Sequence, residues 1–282
     1  MLKQRVITAV VLLLVMLLAL LSASPWPFAL LTLLLIAAAG WEWGRLNQAP
    51  GSLPWLMAAA VALAGLASLF SAWQTHAPAG LWWSVSLMWL LGGTLALRAG
   101  PGLWPQLPRT ARWLLGVVAL WAAWLALMQA RAIGINFMLS MLCLVWMADI
   151  AAYFGGRAWG RRKLAPSISP GKSWEGVWSG MLGVVLLAVL WVWLDGRYGF
   201  DGPSLYARLA AHWGWLYTLP ALLALAGVGV MGDLIESLVK RAAGAKDSSQ
   251  LLPGHGGVLD RVDALLPVMP LALALCGAGA SA

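Results

Sequence analysis

A chain of 282 residues that is 62% hydrophobic and 10% charged, with a mean hydropathy of +0.82, cannot coat a water-facing sphere, since a soluble domain carries about a quarter charged residues. The bilayer is the expected main solvent, and no segment reads as a separate soluble domain. In such a chain the net charge of +8 reports topology and phosphate binding rather than contact with nucleic acid.

In chain order, apolar runs long enough, or nearly so, to cross a hydrocarbon core fall at about 6–21, 28–43, 53–73, 81–97, 113–128, 133–154, 174–194, 215–232 and 264–280. The breaks between them hold the Pro, Gly, Asn and charged residues of turns. The expected fold is an all-α polytopic membrane bundle of about nine transmembrane helices. Residues 1–130 supply the first five, and residues 131–282 supply the sixth to ninth with two cytoplasmic loops, 155–173 and 233–263. The first run, behind Lys3 and Arg5, could pass for a signal peptide cleaved near Ser22-Ala23-Ser24. It is read as the first span, because a chain with many later spans does not need a removable leader.

Many of the 20 tryptophans flank the runs, among them Trp26, Trp43, Trp73, Trp113, Trp174 and Trp213. That placement suits an interfacial aromatic belt. Cys143 and Cys276 both lie within apolar runs and offer no zinc spacing or disulfide framework. With the N-terminus inside, only Arg131, Arg197 and Arg208 of the 18 Lys and Arg residues fall on the outer side. This positive-inside bias puts the N-terminus in the cytoplasm and supports an odd number of spans.

The acidic residues sharpen the picture. Of the ten, Asp149, Glu175, Asp233, Glu236, Asp247, Asp260 and Asp263 lie in or beside the two cytoplasmic loops. Carboxylates beside apolar helices are costly, so their gathering at one end suggests a shared task such as holding divalent cations. Asp233 and Glu236 are three apart at the end of the eighth span, as are Asp260 and Asp263 at the entry to the ninth, and each pair can share one helix face. Between them stand Lys240, Arg241, Lys246, Asp247 and the run Gly254-His255-Gly256-Gly257. Glycines let backbone N–H groups approach a phosphate, Lys and Arg neutralise it, and carboxylates hold Mg²⁺. The set describes a site for metal-bound polyphosphate.

The run from Ser237 to Asp263 reads Ser-Leu-Val-Lys-Arg, then Lys246-Asp247-Ser-Ser, then Leu252-Pro253-Gly-His-Gly-Gly-Val-Leu-Asp260-Arg261-Val-Asp263. It resembles the signature of the phosphatidate cytidylyltransferases without a departure at any motif position. A second stretch is similar to the family's other recurring segment: Asp149-Ile-Ala-Ala-Tyr153-Phe-Gly-Gly156-Arg157, then Ser169-Pro-Gly-Lys172-Ser-Trp-Glu175-Gly176. It departs at Ile150-Ala151, where members often have Thr-Gly, and at Gly171, where they have Lys or Asn. Gly171-Lys172-Ser173 also looks like the tail of a P-loop, but the first glycine of that motif would be Pro166, and no βαβ unit surrounds it.

The resemblance implies the reaction of CTP with phosphatidate to give CDP-diacylglycerol and pyrophosphate at the inner membrane of a bacterium. Its implied site comprises Asp233 and Asp260 as ligands of Mg²⁺ or a second cation, with Asp263 and Asp247 behind them. Ser237, Lys240, Arg241, Lys246 and Arg261 hold phosphates, the His255-Gly256-Gly257 turn cradles the nucleotide, and Asp149, Lys172 and Glu175 complete the wall. The implied partners are CTP, phosphatidic acid and the bilayer, with no nucleic acid, and a homodimer is allowed.

A CTP-dependent lipid or polyprenol kinase is the nearest alternative, and the full Ser237–Asp263 match argues against it. A transporter would place its ionisable residues near the midplane of two related halves, and no repeat is visible. His76 and His212 read as incidental, Asn136 as a helix–helix hydrogen bond, and Glu42, at the end of the second span, is assigned to neither class.

Overall fold

The computed structural model describes residues 2–277, with side chains from residue 7 onward. The side chains of Lys3 and Arg5 and the end of the ninth expected span, to residue 280, lie outside the described residues. The helices are α1 (Leu2–Leu20), α2 (Trp26–Leu46), α3 (Leu53–Leu69), α4 (Trp73–His76), α5 (Ala79–Leu87), α6 (Thr94–Ala99), α7 (Arg109–Ile133), α8 (Ile135–Trp159), α9 (Trp174–Arg197), α10 (Leu205–Ala242), α11 (Leu259–Val262) and α12 (Leu265–Leu275). A π-helical stretch, Met88–Gly93, joins α5 to α6 into one rod over Ala79–Ala99.

An all-α bundle with the bilayer as solvent is what these elements form. Among the described residues six rods are long and apolar enough to span: Trp26–Leu46, Ala79–Ala99, Arg109–Ile133, Ile135–Trp159, Trp174–Arg197 and Leu205–Ala242. Each of the nine expected runs falls on a helix in its described part, but the apolar part of α1 described with side chains is Ile7–Leu20, α3 has 17 residues and α12 has 11, so the count of nine is not reached on length. The outward face of α9 is a lipid-facing stripe of Leu182, Leu186, Val189, Leu190 and Trp193, all exposed.

One departure from the expected pattern is a two-stranded antiparallel hairpin, β1 (Lys163–Ala165) and β2 (Ser169–Ser173), inside the first of the two polar loops. A second is Trp43, which is buried rather than interfacial. Its Nε1 donates to the Arg112 carbonyl at 2.8 Å, and Gly116 makes room for the ring, since a Cβ there would lie 2.0 Å from it. Trp104 donates to Asn47 Oδ1 at 2.9 Å and Trp113 to the Asn47 carbonyl at 3.2 Å. These bonds lock the C-terminal end of α2 against the start of α7.

Two further joints position the site. α8 and α9 approach through small residues: a Cβ on Gly176 would meet the Ala152 carbonyl at 2.9 Å, and one on Gly180 the Ala148 carbonyl at 2.8 Å. This is close small-residue packing of the kind membrane helices use. At the other end of α8, Asn136 donates to Asp195 Oδ1 at 2.9 Å and the Gly202 carbonyl at 2.8 Å, and accepts from Trp191 Nε1 at 3.0 Å. Asn136 is thus the interhelical bond expected of it. Asp201 accepts the N–H groups of Ile135 and Asn136 and caps the helix.

α10 breaks at Gly214 (φ 68°, ψ 164°). From Trp215 to Ala242, at about 1.5 Å per residue, the remaining rod is roughly 40 Å long against about 30 Å of hydrocarbon. Its last turns therefore clear the core, and they carry Asp233, Glu236, Ser237, Lys240 and Arg241.

Candidate active site

The C-terminal ends of α2, α8 and α10, the hairpin, the start of α9 and α11 meet at one end of the bundle. A cavity of about 500 Å³ opens there, lined by Asp149, Tyr153 and Arg157 of α8, Lys172 of β2, and Val230 and Asp233 of α10. Lys172 Nζ contacts Asp233 Oδ2, and both side chains are about a quarter exposed. Ser237 Oγ donates to Asp233 Oδ1 at 3.3 Å, from one turn along the same helix face. The strand feeds directly into α9: Ser173 Oγ accepts the Gly176 N–H at 3.2 Å, a side-chain N-cap. Lys172 is held at the cavity because the next residue is fixed.

The second half of the site lies around Asp260. Lys240 Nζ stands 2.6 Å from Asp260 Oδ1 and 2.6 Å from Glu236 Oε2, and all three side chains are nearly buried. Asp260 Oδ2 also accepts the N–H of Gly257 (2.8 Å), the N–H of Ser248 (3.0 Å) and Ser248 Oγ (2.9 Å). Burial by itself would raise this carboxyl. Its hydrogen bonds with Glu236 and Lys240 and the N–H groups of Gly257 and Ser248 outweigh that and hold it below the ordinary range. Asp263 behaves oppositely. Burial first, and then the negative charge of Asp233, raise its carboxyl, which places Asp263 in the field of the Asp233–Lys172–Asp149 group.

Several expected roles change. The His255-Gly256-Gly257 turn does not present a row of free donors: the Gly257 N–H is taken by Asp260, and those of Val258 and Leu259 by Glu42. The reason is space and charge. A Cβ on Gly256 (φ +84°) would lie 2.8 Å from Asp260 Oδ2, so the glycines let the backbone close on protein carboxylates. Glu175 does not line the cavity. It accepts the N–H groups of Arg161 (3.1 Å) and Arg162 (3.2 Å) and pairs with the Arg162 guanidinium at 3.4 Å, fixing the turn before the hairpin. Arg261 folds back on the His255 carbonyl. Arg241 donates to the carbonyls of Ile168 (3.3 Å) and Ala245 (3.2 Å), tying the hairpin to α10. Lys246 and Asp247 are exposed and line a second, polar cavity of about 600 Å³ with Arg45 and Gln250.

As to a cation, no three Asp, Glu, His or Cys side chains converge into a ready cage among the described residues. Two of the three expected ligands instead face an ammonium, Lys172 at Asp233 and Lys240 at Asp260. Carboxylates paired in this way fit an ion that arrives on a polyphosphate, because Mg²⁺ commonly takes one or two protein carboxylates and completes its shell with water and substrate phosphates.

Glu42 is the residue that sequence reasoning left out. It is fully buried, and it accepts from Ser248 Oγ (3.2 Å), Ser249 Oγ, the Val258 N–H (3.0 Å) and the Leu259 N–H (2.6 Å). Taking a lone carboxylate out of water costs several kcal/mol, and each charge-assisted bond returns about 1.5–3 kcal/mol. An acid inside an apolar span was the available signal.

The sequence profile of the cytidylyltransferase family matches residues 3–278. A phosphatidate cytidylyltransferase of Pseudomonas aeruginosa is 39% identical over 281 residues, covering 98% of this chain and 97% of that one. Proteins of the same name from Haemophilus influenzae and Brucella melitensis are 43% and 47% identical over 137 and 139 residues, about half of each chain.

Proposed function

The chain belongs to the cytidylyltransferase family, and from that premise we propose that it transfers the cytidylyl group of CTP to phosphatidic acid, giving CDP-diacylglycerol and pyrophosphate. A phosphatidate phosphate oxygen attacks the α-phosphorus of CTP. The new P–O bond forms as the bond from the α-phosphorus to the α–β bridging oxygen breaks, and pyrophosphate leaves with that electron pair. The nucleophile is already an anion, so no protein base is required. The obstacle is repulsion between two polyanions, which fixed cationic groups offset.

The observation that carries this reading is the pairing of Lys172 with Asp233 and of Lys240 with Asp260 at one end of the bundle. Asp233, Asp260 and Asp263 would hold Mg²⁺, which when bound would supply positive charge against the triphosphate. Lys172 and Lys240, which pair with Asp233 and Asp260, would be the ammonium groups nearest to hand for the phosphates. Arg157, at the cavity, and Lys246 and Arg45, at the polar cavity beside it, add charge along the approach.

The site faces the cytoplasm of a bacterial inner membrane in this reading, with the N-terminus on the same side and about nine crossings, supported by the asymmetry of Lys and Arg. The acyl chains stay in the bilayer while the headgroup meets CTP at the helix ends. The test is product analysis with purified protein, phosphatidate, Mg²⁺ and CTP labelled in the α- and γ-phosphates. The α-label is expected in lipid and the γ-label in pyrophosphate; γ-label in lipid with CDP released identifies a kinase and overturns the assignment.

A further inference from the structure

Glu42 lies on α2, more than two hundred positions before the segment it binds, yet it holds both ends of that segment. Ser248 and Ser249 donate to it from the beginning, and the Val258 and Leu259 N–H groups from the end. Between these anchors the loop's bonds are short-range: Leu251 N–H to Ser249 Oγ (3.0 Å), Leu252 N–H to the Gly256 carbonyl (2.9 Å), His255 N–H to the Leu252 carbonyl (2.8 Å), Gly257 N–H to Asp260 (2.8 Å), and the Arg261 guanidinium to the His255 carbonyl. Ser248 Oγ is also 2.9 Å from Asp260 Oδ2, so one hydroxyl links the two carboxylates. A Cβ on Gly257 would lie 2.0 Å from Ser248 Oγ and 2.3 Å from Glu42 Oε1. The loop therefore closes around this acid and around no larger geometry. α2 itself is rigid here, through the Trp43–Arg112 and Trp104–Asn47 bonds.

We infer that Glu42 is a positioning residue for cytidylyl transfer: it clamps residues 248–259 and, through Ser248, sets the orientation of Asp260. The inference rests on the reaction proposed above. A carboxylate is required because the Ser249 hydroxyl and the Val258 and Leu259 N–H groups converge on it while Ser248 shares its one proton between it and Asp260, and an amide of the same shape offers one oxygen acceptor and turns two N–H donors toward the backbone N–H groups.

The experiment uses the full chain in detergent and has two readouts. Amide hydrogen exchange, without nucleotide or cation, is expected to show Val258 and Leu259 protected in the wild type and exchanging faster in Glu42→Gln. Steady-state kinetics of Glu42→Gln is expected to show kcat reduced by about 10- to 100-fold, the range for groups that orient a first layer of ligands. KM for phosphatidate stays within about twofold, and Glu42→Asp recovers part of the loss. Wild-type exchange at both amides, or a kcat within about twofold of wild type, overturns the proposal. If the wild type makes no CDP-diacylglycerol, the reaction assignment fails while the exchange arm still decides the clamp. If Glu42→Gln does not accumulate, Ser249→Ala removes one donor and is expected to show a smaller loss in both readouts; no change in either then overturns the proposal.

Discussion

Single side chains carry the chemistry, and their surroundings decide which state each can take. Asp263 keeps its proton to higher pH than an ordinary aspartate, because burial and then the charge of Asp233 disfavour its anion. A cation bound there must displace that proton, so Mg²⁺ binding strengthens as pH rises toward the raised value and weakens as pH falls below it. Calorimetric titration of the protein with Mg²⁺ in the presence of a non-hydrolysable CTP analogue, corrected for the analogue's own proton release, is expected to give tighter Mg²⁺ binding at about pH 8 than at about pH 6, with proton release at the lower value. Equal affinity and no proton release would remove Asp263 from the ligand set. At this scale the sequence was readable in part. The motif spacing placed Asp233, Lys172, Lys240 and Asp260 at one end of the bundle, where the structure has them. It could not show that Asp260 already accepts from four donor groups, nor that Glu175 serves a turn. Glu42 stayed hidden because its partners lie 206 to 217 positions away, beyond any local periodicity.

Helices and their joints set where those side chains stand. The spans were legible because bilayer-facing helices must be apolar for their whole crossing. The hairpin over 163–173 was not, because its polar, Pro- and Gly-containing sequence is that of a loop, and two short strands pair only after α8 and α9 bring the ends together. That approach depends on Gly176 and Gly180 against Ala152 and Ala148. Gly180→Leu is expected to force the helices apart, with a stability loss of about 1–3 kcal/mol from overpacking and a clear fall in kcat/KM as the cavity between Asp149 and Lys172 widens. Leu186→Ala, on the lipid-facing stripe of the same helix, serves as the control, with a change within about 0.5 kcal/mol. Thermal unfolding and initial rates of the two variants check this; equal behaviour would mean the α8–α9 contact does not shape the site.

One end of the bundle gathers Asp149, Lys172, Asp233, Lys240 and Asp260 beside lipid-solvated helices, and this is what a water-borne nucleotide and a membrane-borne phosphate both require. The placement of Arg and Lys gave an expected orientation, but the sequence did not settle the number of crossings, since α12 is short in its described part and α10 is longer than a single crossing needs. In a background with Cys143 and Cys276 replaced, cysteine at the exposed position 161 is expected to react with an impermeant maleimide only in inside-out vesicles. Cysteine at position 197 is expected to react only in right-side-out ones. The reverse pattern would turn the molecule over. The most direct measurement of the central claim is the rate of CDP-diacylglycerol formation by Asp233→Asn, which keeps the shape of the cavity but removes the charge that faces Lys172. The account predicts a fall in kcat of at least about 100-fold with intact folding; a rate within about twofold of wild type would contradict it.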